Sequence, residues 1–473
     1  MNTSSQSVAS KYIKPAREQK LFYFAAVAFL FTMYVLPQYF GLPFPLFDLT
    51  ALRIMIIVLV ILIVGENCRW NDFVHVILTE PVGLVLLPYL FVIGYTMVLR
   101  VDINAFLNPF IEIMTFYLVI YVIRHSLGIE KTVQLMIGFM YFITVLGVIE
   151  YVMGRSPFSY LETISGIYTG QFVRSGNYRI MSSAVHSLGY GLILVSMVPF
   201  ACIDLEKNEI NLLKRPVLLV LIVMNAFLCG SRSTLSVVMV AIVLLMFLSH
   251  KTQTKRLILV GGMGIIAFLM FLLVFHSSSI GQYIMLQITS ILDSLLGTEF
   301  SVAYGADLSA LSSSSNYRDQ LKYIFTLDWL NPFLGIGRSR GLRAEINGSY
   351  IKSVDDFYVA EFIRYAYPGL FAYGAFMLYC LYITWKKGFK GKSALAKGIL
   401  VGMWCYMLNL KWVDSLQTLK YFYLLFAIVI CIPVDVGMKQ EKKKETPSKY
   451  IKKLIGKEVK DGKSKYCRSD IQR

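Results

Sequence analysis

Apolar residues in this chain come in runs too long to leave a polar face, separated by short polar breaks. "LFYFAAVAFLFTMYVLPQYF" (21–40) and "LRIMIIVLVILIVG" (52–65) are the first two. Such runs recur at about 21–40, 49–65, 82–99, 106–123, 132–152, 181–203, 216–230, 233–249, 257–275, 357–385, 395–410 and 416–434. About 20 consecutive apolar residues cross a bilayer as a helix, and a helix satisfies its own backbone polar groups in lipid. The pattern therefore predicts an all-α polytopic membrane protein with about 12 transmembrane helices.

One interruption is far longer than the rest. Residues 276–356 form a single large loop with two helical stretches of its own. "SSIGQYIMLQITSILDSLLG" carries Ile284, Leu286, Ile288, Ile291, Leu292 and Leu295 at helical spacing, which suits an amphipathic helix lying along the interface. "NYRDQLKYIFTLDWL" is a second helical stretch, with Ser314 or Ser315 as its expected cap. The organisation is then an N-terminal segment 1–20, helices one to nine over 21–275, the loop 276–356, helices ten to twelve over 357–434, and a tail 435–473. No internal repeat is evident, which weakens a transporter built from inverted repeats.

Charge orients these helices. Lys11, Lys14, Arg17 and Lys20 precede the first run, and alternate loops on that side read "RHSLGIEK", "DLEKNEINLLKR", "HKTQTKR" and "KKGFKGKS". The opposite side has "GLPFPLFD", without a basic residue, and "KWVDSLQ". Basic short loops stay in the cytoplasm, so both termini are expected inside and the large loop outside. The protein is thus expected to cross a membrane many times, in contact with its lipids.

Composition agrees and removes some alternatives. Hydrophobic residues are 56% of the 473 and charged residues 16%, against about 25% charged in a soluble domain. The net charge of +17 does not point to nucleic acid, because from Val436 onward thirteen Lys/Arg face only five Asp/Glu. That tail reads as a disordered or surface-lying cytoplasmic segment. The seven cysteines (Cys68, Cys202, Cys229, Cys380, Cys405, Cys431 and Cys467) are scattered. Without C-x-x-C spacing or an H-E-x-x-H sequence, neither a disulfide framework nor a metal site is expected, and no cofactor is.

Arginine, however, recurs on the outer side: Arg155, Arg174 and Arg179 before the sixth run, Arg232 in "CGSRST", and Arg318, Arg338, Arg340 and Arg343 in the large loop. A guanidinium remains charged and matches phosphate oxygens with a planar fork of donors. Any one of these arginines fits a lipid headgroup contact, but three outer segments able to converge favour a shared anion. Asp355 and Asp356, just before "FYVAEFIRYAYPG", fit helix capping, a general base or an anchor for a sugar hydroxyl. Glu361 and Arg364 are three apart and suited to pair. His186, seven residues after Arg179, fits the same cavity or a satisfied core position.

"NPFLGIGRSRG" (331–341) has glycines at 335, 337 and 341, one residue late for a dinucleotide fingerprint. In order along the chain, "RSGNYRIMSSAVHSLGYG", "LCGSRSTLSVVMVAIVLL", "SNYRDQLKYIFTLDWLNPFLGIGRSRG" and "DDFYVAEFIRYAYPGLFAYG" resemble the O-antigen polymerase and O-antigen ligase superfamily of the Wzy and WaaL type. The resemblance runs from roughly Phe158 to Gly374. It implies a metal-independent glycosyltransferase that polymerises undecaprenyl-pyrophosphate-linked oligosaccharide repeats into O-antigen, capsule or exopolysaccharide on the outer face of the membrane. A flippase and a chain-length regulator would be pathway partners.

By motif position the resemblance implies Arg179, Arg232 and Arg318 as pyrophosphate ligands, Arg318 serving the reaction directly, with Arg174 and Arg338 as second choices. It implies Gly335 and Gly337 as close-approach positions for carrier or sugar, and Asp356 or Asp355 at the acceptor hydroxyl. Many ligases carry histidine where this chain has "DDFY", so polymerase is favoured over lipid A ligase. Protein O-oligosaccharyltransfer and a lipid-linked oligosaccharide flippase are the alternatives.

Overall fold

The computed structural model describes residues 17–44, 48–168, 173–174, 177–305, 317–342, 344–346, 349–351 and 353–433. The basic tail, most of the segment 1–20, Arg343, Lys352 and the expected cap at Ser314 or Ser315 lie outside them. Within them the apolar runs fold into helices: α1 (Arg17–Tyr34), α2 (Ala51–Val64), α3 (Asn67–Thr79), α4 (Val82–Arg100), α5 (Ile103–Val122), α6 (Gly128–Met153) and α7 (Ser187–Cys202). There follow α8 (Pro216–Leu228), α9 (Arg232–Leu248), α10 (Lys251–Phe275), α11 (Ser279–Leu296), α12 (Phe357–Trp385), α13 (Ala394–Asn409) and α14 (Leu419–Cys431). Short polar side chains set many of the starts. Thr50, Asp102, Ser231, Ser278, Asp356 and Ser393 each accept a hydrogen bond from a first-turn backbone N–H that the helix leaves open.

The protein is mostly helical, as expected, with four two-stranded hairpins among the described residues. Three stretches there are long and apolar enough to cross a membrane: Val82–Arg100, Ile103–Met153 and Phe357–Lys390. Several other apolar helices are shorter than the spans expected of them, α2, α7, α8 and α14 among them. The run at 49–65 gives α2, 14 residues or about 21 Å, short of the ~30 Å core. The chain then bends by 114° into α3, which the sequence pattern did not predict. Polar Asn67, Arg69, Asp72 and His75 make α3 unsuited to continue an apolar span, and Arg69 pairs with Glu66 at 2.8 Å across the bend.

The run at 181–203 is helical only from Ser187. Glu150, buried near the end of α6, takes the preceding segment for itself. Its Oε1 accepts from Met181 N–H and Tyr178 O–H, both at 2.8 Å, and its Oε2 from Ser182 N–H at 2.7 Å. In the large loop α11 forms as expected, turning Tyr283, Leu286, Thr289 and Ser290 inward. The second stretch is one helical turn at 317–320 followed by a tighter 3₁₀ turn, Leu321–Thr326. A small separate core of Leu321, Ile324, Leu330, Ile346 and Ile351 docks it on Val359, Phe362 and Ile363 of α12.

The centre belongs to α7 and α14. From Gly189 to Cys202 every side of α7 is buried, against α8, α9, α13 and α14. A helix apolar all round needs such neighbours, whereas lipid-facing helices keep an exposed apolar side. Connections collect at two opposite ends. At one, Arg124 pairs with Glu80 at 2.5 Å, Asn208 bonds the Lys392 carbonyl, and Lys387 reaches the last carbonyls of α14. These are the basic loops. At the other, the turn Val101–Asp102 meets 335–339, and the segment before α12 meets Lys411. Asn108 near the start of α5 and Ser183, next to the Ser182 whose N–H Glu150 accepts, line one cavity, so the start of α5 and the end of α6 share this second end.

Candidate functional site

The site starts from a fault in α12. Pro368 has no N–H, and Ala366 takes φ +56°, so the helical ladder fails between Ile363 and Pro368. Backbone groups stranded inside an apolar bundle must find other partners. "NPFLGIGRSRG" supplies them: Ile336 N–H donates to the Ile363 carbonyl at 2.9 Å and Gly337 N–H to that of Arg364 at 3.1 Å. Pro332 C=O receives the Tyr367 N–H at 3.1 Å. The strap lies so close that a Cβ on Gly335 would stand 2.1 Å from the Arg364 oxygen. Gly337, at φ +87°, has Asp102 Oδ2 in the corresponding place, 2.3 Å away. The close approach of both glycines is to this protein's own backbone and to Asp102.

The turn between α4 and α5 fastens the strap from outside. Arg100 donates from Nε to the Gly335 carbonyl at 2.7 Å. Asp102 Oδ2 accepts from Arg338 N–H at 2.8 Å and Ser339 N–H at 2.9 Å, and its Oδ1 accepts from the Ser339 hydroxyl at 2.7 Å. Burial alone would raise the Asp102 carboxyl; the bonds from Ser339 and Arg338 outweigh it and hold it below the ordinary aspartate range.

Held this way, Arg338 points into the bundle. Its Nη1 donates to Glu112 Oε1 of α5 at 3.1 Å, its guanidinium lies 5.8 Å from the Tyr365 ring centre, and its buried Nε has no partner. Burial opposes its charge, but Glu112 above all keeps it firmly protonated. Arg364, the residue before Tyr365, grips Asp414 with both terminal nitrogens and lies 3.7 Å from Glu361, the pairing expected from their spacing. Arg53, on the first turn of α2, donates to the Asp48 carbonyl and to Asn108 Oδ1, each at 2.7 Å.

These groups open onto a cavity of about 610 Å³ at the end away from the basic loops. Among the described residues four basic side chains line it, Arg53, Arg338, Arg364 and Lys420, with three carboxylates, Glu112, Asp355 and Asp414. His186 completes the wall. Its Nδ1 accepts the Leu188 N–H at 3.1 Å as the cap of α7, so the ring proton sits on Nε2. Burial and nearby Arg179 lower its pKa, with Asp355 opposing, so the imidazole is neutral at pH 7.

No protein-family model matches this chain, and no characterised protein does. The site is therefore read from its own geometry.

The residues singled out from sequence separate into groups. Arg338 and Asp355 line the cavity; Asp355 accepts from the Ser353 hydroxyl at 2.8 Å and keeps its place at the wall. Asp356 does not line it: Oδ1 caps α12 at the Tyr358 and Val359 N–H groups, and Oδ2 lies 3.1 Å from Lys411 Nζ. Arg179 is buried behind His186, its Nε donating to the Cys229 carbonyl at 2.8 Å. Arg232 opens α9, Arg318 stands half-buried on the turn 317–320, and Arg174 lies on the two-residue strand Val173–Arg174. Neither Arg232 nor Arg318 is in the cavity wall. Reasoning from loops overlooked Arg53, Glu112, Asp414 and Lys420. For three of them, Arg53, Glu112 and Lys420, the signal was an ionisable residue within an apolar run. Among the described residues no three His, Cys, Asp or Glu side chains gather as metal ligands.

Proposed function

We propose that this chain is a multi-pass enzyme of the bacterial cytoplasmic membrane, with about 12 spans and both termini inside. It polymerises undecaprenyl-pyrophosphate-linked oligosaccharide repeats on the outer face without a metal or cofactor. The observation that carries the reading is the cation-rich cavity at the end opposite the basic loops. A glycosyl bond to pyrophosphate breaks with the electron pair passing to a phosphate oxygen, and fixed donors in a low-dielectric cavity stabilise that charge. Arg338 and Arg364 are positioned for this, each fixed by a carboxylate. The acceptor hydroxyl attacks the anomeric carbon and gives its proton to a carboxylate. Asp355 suits that task better than Asp356, both of whose oxygens are engaged.

O-antigen ligation and protein O-oligosaccharyltransfer share this chemistry and differ in acceptor. A lipid-linked oligosaccharide flippase has one observation of its own in its favour: Glu112 lies nine residues into α5, about 14 Å from its start and nearer the middle of the bilayer than its surface. The test is incubation of purified protein with an undecaprenyl-pyrophosphate-linked repeat. The expected outcome is chain elongation that falls about 10²–10³-fold in Arg338→Ala and Asp355→Asn. Full elongation in both variants refutes the assignment, and translocation without elongation makes the protein a transporter.

A further inference from the structure

Of the four basic side chains that line the cavity among the described residues, three are already satisfied by the protein. Arg338 has Glu112, Arg364 has Asp414, and Arg53 has a carbonyl and an amide oxygen. Lys420 differs. It is half-buried in the cavity wall, and its Nζ makes no hydrogen bond or ion pair among the described residues. Its one aromatic contact is the Tyr421 ring, whose centre is 5.2 Å away. An ammonium carries three donors and no acceptor, so its N–H groups are left without acceptors among the described residues. The position adds to the imbalance, because Lys420 stands on the first turn of α14, where the helix dipole is also positive. Arg338, held by Glu112 at 3.1 Å, lines the same cavity.

We propose that Lys420 is an anion ligand of this cavity, its ammonium donating to a phosphate-class oxyanion. This rests on the reading that the cavity holds a lipid-linked pyrophosphate, and it names the contact made to that group. A lysine with a structural role would be missed on removal. An uncompensated charge in a low-dielectric wall would not, since replacing it by an apolar side chain of similar length removes a repulsive term.

The test is calorimetric titration of purified protein with inorganic pyrophosphate in detergent, and with undecaprenyl pyrophosphate in nanodiscs. The variants are Lys420→Met, Lys420→Arg and Lys397→Met, the last at the opposite end of the molecule. Lys420→Met is expected to weaken pyrophosphate binding about 10–100-fold, as for loss of one charged hydrogen bond. Its melting temperature should equal or exceed that of the wild type. Lys420→Arg should recover most of the affinity, and Lys397→Met should change nothing. Tighter binding of the nanodisc probe assigns the anion to the lipid carrier; equal binding assigns it to the pyrophosphate group alone, and both support Lys420. Unchanged pyrophosphate affinity in Lys420→Met, in a wild type that elongates lipid-linked repeats, overturns this inference and leaves the enzyme reading standing. A wild type that neither binds pyrophosphate nor elongates overturns both.

Discussion

The two ends of this molecule use the same residue types to different effect. At the end with the basic loops, charge is spent on closure. Arg124 pairs with Glu80, Lys214 with Asp204, and Lys387 donates to the carbonyls of Val429, Ile430 and Ile432 where α14 runs out of its own donors. At the other end, carboxylates hold Arg338 and Arg364 in place, yet the Lys420 ammonium, without a hydrogen bond or ion pair among the described residues, lines a cavity. Paired charges alone therefore do not mark a site; donors left over after pairing, facing enclosed space, do.

The largest expected effect comes from breaking the cavity end at its centre. Arg338→Ala leaves Glu112 without its partner in the bundle and should cost about 3–5 kcal/mol of stability. The double variant Arg338→Ala/Glu112→Ala should regain much of that in thermal unfolding but none of the elongation activity. Recovery of activity along with stability would make the pair structural, like those at the other end.

The strap gives the next effect. In Gly335→Ala the new methyl meets α12 backbone rather than a flexible side chain, so the strap has to lift. A loss of about 1–3 kcal/mol is expected from overpacking, together with a marked fall in elongation as Arg338 shifts. Hydrogen exchange at Ile336 and Gly337 is the direct measure, and unchanged protection there would contradict the account of the broken helix.

Lys387→Met supplies the contrast. It should lower stability by about 1 kcal/mol through the exposed end of α14 and leave pyrophosphate binding as it was. A fall in binding would join the two ends into one functional unit.

The smallest effect is read with pH. Asp102 and Asp204 both lie below the ordinary aspartate range; in each, burial pulls upward and is outweighed, by Ser339 and Arg338 in one and by Lys214 and local N–H groups in the other. Each is more acidic folded than unfolded. Its contribution is therefore fully present above the unfolded value of about 3.9 and is lost as pH falls through the folded value. Melting temperature should decline below about pH 4 and decline less in Asp102→Asn or Asp204→Asn. Only Asp102→Asn should also weaken pyrophosphate binding at neutral pH. Equal binding in both variants would show that the strap needs no anchor.

Much of the fold was legible because burial in an apolar medium demands continuous apolar sequence, which period and length reveal directly. The shorter helices escaped that reading for local reasons: the polar face of "NCRWNDFVHV" turns α3 aside, and Glu150 draws 181–182 out of the helical ladder. In the site, Arg338 and Asp355 stood out as polar residues of outer loops. Arg53, Glu112 and Lys420 were overlooked because each sits within an apolar run, where its partners are distant in sequence.

The sequence by itself determined helices, their alternation, and which end collects the basic loops, since each follows from local composition. It also marked "NPFLGIGRSRG" as unusual. Only the tertiary structure decided what that segment does, because the answer lies in two carbonyls 27 residues on from their donors Ile336 and Gly337, which Pro368 and Ala366 leave without helical partners. Backbone groups stranded in an apolar bundle must be satisfied somewhere. The partner that satisfies them here also carries Arg338 into the cavity.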